Sequence, residues 1–301
     1  MPDTHLRTAL DTHPIGTLLR TGTLTHPDVT LDFADVTPIH HAFAPMVRTQ
    51  TYDLSELAVV TALQAIAHGH PLTLLPVVVA ARFQRKCLIT HRDHPLTHPT
   101  QLRGLRIGVR SYTQTTGMWI RSHLTEDYGI TAEESHWITQ DEAHVPEHHD
   151  PPYVHRTLTG SLTDALRNGT IDAAVLGNDL PEGDEFRPVF DHPTERDHTW
   201  YTTHGYAPVN HLVAVANTTL HHHPDAVRAA YTLLTRAEHD TTTHQPPHTP
   251  HLTRSGIDHL TTPLNEIADA CHAQGLLPRR LTADELLTPA HQLLDTTPAT
   301  S

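Results

Sequence analysis

Lysine is almost absent from this sequence: Lys86 is the only one in 301 residues. Lysine and arginine together number 20 against 34 aspartates and glutamates, giving a formal net charge of -14 with histidine neutral. So sparse a cationic complement argues against nucleic acid as a partner, because duplex binding rests on neutralising phosphates with Lys and Arg. Cysteine is nearly as scarce. Cys87 and Cys271 lie far apart, in neither a CxxC pair nor a zinc-ligand spacing, which argues against a disulfide framework and a Cys-based metal site. Both read as small core residues. Long apolar runs are missing too. The first twenty residues hold no apolar segment of signal-peptide length, and no later stretch approaches the roughly 18 residues that span a bilayer. The expectation is a cytoplasmic chain with no membrane partner.

What is present in excess is histidine, 30 residues, together with threonine and 24 prolines. This surplus beside a lysine deficit reads as the coding bias of a GC-rich gene, so histidine alone is weak evidence for a site. The pairs and runs His40-His41, His68/His70, His91/His94, His148-His149 and His221-His222-His223 invite a metal reading. Adjacent histidines on a loop rarely converge on one ion, however, so no metal is expected. Hydrophobic residues make up 37 %, enough over this length for a substantial core in one large or two ordinary domains.

Short apolar runs alternate with helix-length amphipathic segments, the pattern of an α/β protein with mostly parallel strands. Strands are predicted near 4–9, 29–36, 72–80, 86–91, 105–109, 135–139, 172–176 and 211–216. Helices are predicted near 13–20, 38–48, 56–68, 114–127, 161–168, 224–239 and 258–273. Ser161 reads as an N-cap, Pro224 as a first-turn proline and Gly169 as a helix terminator. Polar segments 140–160 and 240–256 read as long surface loops. At 101–125 a strand leads through the hydroxyl-rich Arg110–Gln114 loop into a helix. Free N–H groups and the positive end of the helix dipole converge there, which suits a carboxylate. Tyr112, Thr115 and Thr116 are the candidates to bind it, unless this is an ordinary strand-to-helix turn.

Several segments in collinear order point further: Tyr52-Asp53-Leu54-Ser55-Glu56, LLPV at 74–77, LRGLRIGVRSYTQTTGMWIR at 102–121 with DYGI at 127–130, SLTDALRNGTIDA at 161–173, GYAPVNHLVAV at 205–215 and CHAQGLLPRRLTADELLTP at 271–289. In these the chain resembles the 4,5-dihydroxyphthalate decarboxylase family. The resemblance implies a two-lobed α/β architecture, the type II periplasmic-binding-protein fold, with a ligand cleft between the lobes. Residues 1–100 and 207–301 would form lobe one and 101–206 lobe two. It also implies His211, in Pro208-Val209-Asn210-His211, as an acid–base residue. Glu56 is the alternative acid, with a pKa raised if buried, or else a helix N-terminal Glu capped by Ser55. Ser55 and Asn210 sit beside them as substrate-binding candidates.

The departures from the family pattern are as informative. Where the family has Arg-x-Phe-Arg-His after the LLPV strand, this chain has Ala81, Phe83, Gln84 and Arg85, with Arg82 adjacent. Family serines are replaced by Ala58 and Val60, and a Trp-Pro-Tyr-Gly segment is absent. Arg82, Arg85 and Lys86, read on one strand, form a cationic cluster suited to a second carboxylate, or a solvated basic edge. Trp119 reads as core, and Arg121 as a bridge between lobes or a solvent-facing charge. The expected function is a cytoplasmic lyase decarboxylating an aromatic or conjugated carboxylic acid in specialised biosynthesis. It needs no organic cofactor, because a ring hydroxyl can serve as electron sink. A homodimer is left open. The rival expectations are a non-catalytic solute-binding protein for a small anion, and dehydration or cyclisation on the same scaffold.

Overall fold

The structure, a computed structural model, describes residues 4–177, 180–243, 245–246 and 249–295. Part of the predicted 240–256 loop, residues 244, 247 and 248, lies outside them. In chain order the strands are β1 His5–Ala9, β2 Thr30–Phe33, β3 Leu54–Ala58, β4 Leu72–Ala81, β5 Leu88–His91, β6 Arg106–Val109, β7 His136–Thr139, β8 Val154–His155, β9 Ala173–Val175, β10 Phe186–Pro188, β11 Val209–Ala216 and β12 Arg254–Ser255. The helices are α1 Pro14–Arg20, α2 Phe43–Thr49, α3 Val59–Ala67, α4 Thr115–Tyr128, α5 Leu162–Arg167, α6 Pro193–His204, α7 Asn217–His222, α8 Pro224–Thr242, α9 Ile257–Ala273 and α10 Ala283–Asp295. None is long and apolar enough to cross a membrane among the described residues.

The chain divides into two compact units. The first comprises Met1–Arg82, Val209–Asp269 and Pro278–Ser301, and the second Phe83–Pro208 with Ala270–Leu277. The boundaries differ from the 1–100, 101–206 and 207–301 expected. Residues 83–100 carry β5, which pairs with β9 and β10 of the second sheet, and the end of α9 packs with that unit too.

The first sheet has the order β12-β4-β11-β3-β1-β2. β1 runs parallel to β2 and β3, whereas β11 is antiparallel to both β3 and β4. The second sheet, β10-β5-β9-β6-β7-β8, is parallel from β9 through β8 and antiparallel at β5 and β10. The expectation of mostly parallel strands is therefore corrected to mixed sheets. Only strands joined within a unit by crossover helices are held parallel. β11 re-enters the first unit after the whole of Phe83–Pro208 and is free of that constraint.

The core of the first unit gathers Leu6, Leu54, Leu75, Val213 and Val215 under α1 and α8, all at most 1 % exposed. Each such side chain contributes about 1.5–3 kcal/mol on burial. Pro76 stands inside β4, where a missing N–H would break a ladder. The β4–β11 pairing jumps there from Val213↔Leu75 to Leu212↔Val78, so the proline falls in a bulge. The bulge continues to His211, while β11 stays in regular register with β3. The second unit has its own smaller core around Ile89, Leu166, Ile171 and Ala174.

Local signals were realised where caps fix them. Ser161 accepts from Asp164 N at 3.0 Å, Pro224 opens α8, and Gly169 takes φ 70° after α5. The predicted helix over 56–68 splits instead into β3 and α3. The run LSELA is a central strand with all five residues buried, and helix begins only at Val59.

Candidate functional site

Glu56 stands on β3 and His211 on β11, and the antiparallel register opposes His211 to Ala58. Glu56, two residues before Ala58, is therefore the diagonal neighbour of His211 on one face of the sheet. The side chains meet: His211 Nδ1 lies 2.5 Å from Glu56 Oε1. The other carboxylate oxygen is held from the loop after β1. Asp11 N donates to Oε2 at 2.9 Å, and His13 Nε2 lies 3.2 Å from it. Glu56 is 1 % exposed, His13 13 % and His211 17 %, so the imidazoles lie between a buried carboxylate and the surface. Phe43 packs against the His211 ring in a T-shaped pair at a centroid distance of 5.3 Å. Among the described residues nothing hydrogen-bonds His211 Nε2.

Burial alone would push the Glu56 carboxyl upward. The hydrogen bonds of the His13 and His211 imidazoles outweigh it and hold the group well below the usual carboxylate range. Glu56 is therefore an ionised acceptor, and its reading as a general acid with a raised pKa is corrected. The alternative, a helix-start Glu capped by Ser55, is corrected as well. Ser55 Oγ is buried and donates to Glu56 O at 2.9 Å, and α3 starts at Val59 with Ala58 as its N-cap residue and no side-chain cap. Asn210 is buried in β11 beside His211.

The cationic cluster does not form. β4 ends at Ala81 and Arg85–Cys87 is a 3-10 turn, so no strand carries the three cations together. Arg82 is half-buried and Lys86 exposed. Arg85 is 1 % exposed, with Nε and Nη2 donating to Asp127 at 2.9 and 3.1 Å and Nη1 to Asp197 at 2.8 Å. Burial would lower its pKa, but the two carboxylates raise it. This guanidinium is engaged inside the protein.

In the second unit the hydroxyl loop splits in the same way. Tyr112 is fully buried, its OH donating to Gln274 O at 2.8 Å and its ring covered by the Arg121 guanidinium at 3.9 Å. It holds the loop rather than facing a ligand. Arg121, 1 % exposed, is not solvent-facing and makes no ion pair among the described residues. It donates to Gln274 Oε1 and Tyr112 O and also stacks over Trp137. Trp119 is core, 3 % exposed. Thr115 and Thr116 open α4, whose N-terminus has no side-chain cap. Thr115 Oγ1, Gln114 Oε1 and Thr139 Oγ1 are buried with no hydrogen-bond partner among the described residues. These unmet groups lie at the carboxyl ends of β6 and β7, where open α/β sheets bind ligands.

His13 was not anticipated. Its trace in the sequence is a His immediately before Pro14 at a helix start, with Gly16 in the first turn, where glycine otherwise weakens a helix. Among the described residues no group of three or more His, Cys, Asp or Glu side chains is placed to hold a metal ion.

No protein-family model matches the chain. Two curated relatives do. A 4,5-dihydroxyphthalate decarboxylase of Comamonas testosteroni is 26% identical over 193 residues, 59% of this chain and 58% of the relative. One of Pseudomonas putida is 28% identical over 131 residues, 41% and 50% of the two chains. The matched stretches thus span little more than half the length of these relatives. Among solved structures, the alkanesulfonate-binding protein SsuA from Xanthomonas axonopodis pv. citri bound to MOPS superposes with a TM-score of 0.59 at 13% identity, covering 95% of this chain and 98% of that one. The Candida albicans CA3427 gene product, described as having the generic periplasmic binding protein fold, gives 0.57 at 13% identity over 97% and 95%. The chain has the type II periplasmic-binding-protein fold, and its sequence is similar to 4,5-dihydroxyphthalate decarboxylases.

Proposed function

We propose that this protein is a decarboxylase-like lyase acting on a hydroxylated aromatic or otherwise conjugated carboxylic acid, with His211 as proton carrier and Glu56 as the carboxylate that orients it. The observation that carries the reading is the His211–Glu56 pair, with Nδ1 engaged and Nε2 left for a reacting group. Glu56 accepts the Nδ1 proton and supplies the counter-charge for an imidazolium, the task of the buried carboxylate in a catalytic triad. The His211 Nε2–H protonates the ring carbon that bears the carboxylate. As it does so, a ring hydroxyl ortho or para to that carbon gives up its proton and feeds electron density into the ring, becoming a ring carbonyl. The C–C bond then breaks, CO2 leaves with no electron pair, and the pair flows towards that carbonyl oxygen, which takes its proton back as the ring is restored. One proton is consumed and recovered from water through Nε2. The chain's residues orient the acid and deliver the proton, for which general acid–base catalysis is worth about 10²–10⁴-fold.

The replacement of the family's Arg-x-Phe-Arg-His by Ala81, Phe83, Gln84 and Arg85 favours a substrate other than 4,5-dihydroxyphthalate. Incubation with a panel of hydroxybenzoic and phthalic acids, followed by CO2 release, tests the reaction. Turnover of at least one acid is expected, reduced about 10²-fold or more in His211→Ala. Thermal stabilisation by a carboxylate with no CO2 released would replace this reading with anion binding alone. We also place the protein in the cytoplasm, in a specialised biosynthetic route, which cell fractionation and the identity of the accepted acid would test.

A further inference from the structure

His13 has a hydrogen-bonding pattern that fixes its protons. Its Nδ1 accepts from Gly16 N at 3.1 Å, capping α1, so that nitrogen carries a lone pair. A neutral imidazole with Nδ1 as acceptor must bear its proton on Nε2. That nitrogen faces Glu56 Oε2, which as an ionised oxygen only accepts. For His211 the logic is reversed. Its Nδ1 faces Glu56 Oε1, so the proton sits on Nδ1 and Nε2 is the free end. One buried carboxylate is thus flanked by two histidines of opposite tautomer. The loop carrying His13 is wound tightly enough that a Cβ on Gly16 would stand 2.0 Å from Asp11 O and 3.4 Å from the His13 ring. Asp11 N and His13 Nε2 together occupy Oε2, which leaves Oε1 alone to His211.

We propose that His13 is a positioning residue: it acts as a tautomer-locked donor that pins Glu56 Oε2, so that Oε1 is presented to His211 and His211 is the single proton carrier of the site. Without the His13 contact Oε2 keeps only the Asp11 N–H, so the carboxylate is less firmly fixed and the Nδ1–H form of His211 loses a rigidly placed acceptor. The role rests on the reading of His211 as proton carrier, but its test needs no turnover.

Long-range 1H–15N imidazole spectra of the uniformly 15N-labelled protein, without substrate, report each tautomer directly. The wild type is expected to show His13 as Nε2–H and His211 as Nδ1–H. Two substitutions separate the functions of His13. His13→Asn keeps an acceptor for the helix cap but is too short to reach Glu56, so His211 should lose its Nδ1–H signature. His13→Gln places an amide N–H where Nε2 was and gives up the cap, so the His211 signature should survive. A purely structural His13 predicts the opposite pair of results. The proposal is overturned if His211 is unchanged in a folded His13→Asn protein, or if wild-type His13 carries its proton on Nδ1. The second criterion stands even if neither variant folds. Locked tautomers in a protein that releases CO2 from no acid would sink the decarboxylase reading and leave this one intact.

Discussion

At Arg85 a guanidinium 1 % exposed donates three hydrogen bonds to two carboxylates, and its burial is tolerable only while both are present. Breaking such a group from one side leaves uncompensated charge. Arg85→Met, which strands Asp127 and Asp197, is expected to cost about 3–5 kcal/mol in urea unfolding, and adding Asp127→Asn with Asp197→Asn should recover part of it. An Arg85 serving chiefly as a ligand contact would lose little stability. Glu56 sets a different balance, dependent on pH. Its folded pKa lies below the ordinary carboxylate value, so its contribution is full above that value, about 4.3, and disappears as pH falls through the folded one. The stability advantage of wild type over Glu56→Gln should therefore narrow as pH is lowered below about 4.3. An advantage that widened there would contradict an ionised Glu56. His211 and Glu56 could be singled out from the sequence because each sits in one of the collinear motifs. Their contact could not, because it depends on a strand pairing across some 155 positions of chain. His13 left only the faint trace of its place before Pro14 and Gly16, since one histidine among 30 carries no signal of its own.

The elements that hold the site are two strands and a tight loop. Periodicity misassigned β3 because the fourteen residues LSELAVVTALQAIA are apolar enough to satisfy a helix throughout. A central strand is buried on both faces and shows no alternation. α6 was missed for the converse reason: PTERDHTWYTTH is mostly polar, with only Asp197 and Trp200 buried, so no apolar stripe announces it. Strands flanked by turns, such as β6 and β7, were found near their true bounds. The loop from Asp11 to Gly16 yields a prediction whose sign is diagnostic. Alanine in place of glycine in a helix ordinarily stabilises by about 0.5–1 kcal/mol. At Gly16 the added Cβ would collide with backbone, Asp11 O at 2.0 Å, which cannot rotate away as a side-chain tip could. Gly16→Ala should therefore lower thermal stability, by about 1–3 kcal/mol, and loosen Asp11 N and His13 from Glu56 together. A neutral or stabilising Gly16→Ala would mean that the loop is slacker than the packing requires.

For the molecule as a whole the informative quantity is the ratio of histidine to excess negative charge. The 30 histidines outnumber the 14 excess negative charges about two to one, so protonating roughly half of them brings the chain to neutrality. Among the described residues His123 is the one histidine counted with the buried polar side chains, and burial pushes its pKa well below the usual value. The His148 side chain is 4 % exposed as well, but most of the others described are partly or fully open to water, which makes the surplus a surface property rather than a set of buried sites. That is why composition was a poor guide to the site: the two histidines at Glu56 are distinguished by their partners, and nothing in the count marks them. The same surplus has a measurable consequence. In a chain whose balance rests on Lys and Asp/Glu, net charge changes little between pH 7.5 and 5.5. Here it should swing from strongly negative through zero at about pH 6.1 and then positive. Proteins associate most readily where net charge vanishes. Light scattering across pH 8 to 4.5 should therefore show a narrow maximum near pH 6.1, clearing on the acid side, with electrophoretic mobility reversing sign at the same point. A mobility that stayed negative to pH 5 would require many histidines to be held neutral, and with them a buried histidine network that the described side chains do not contain.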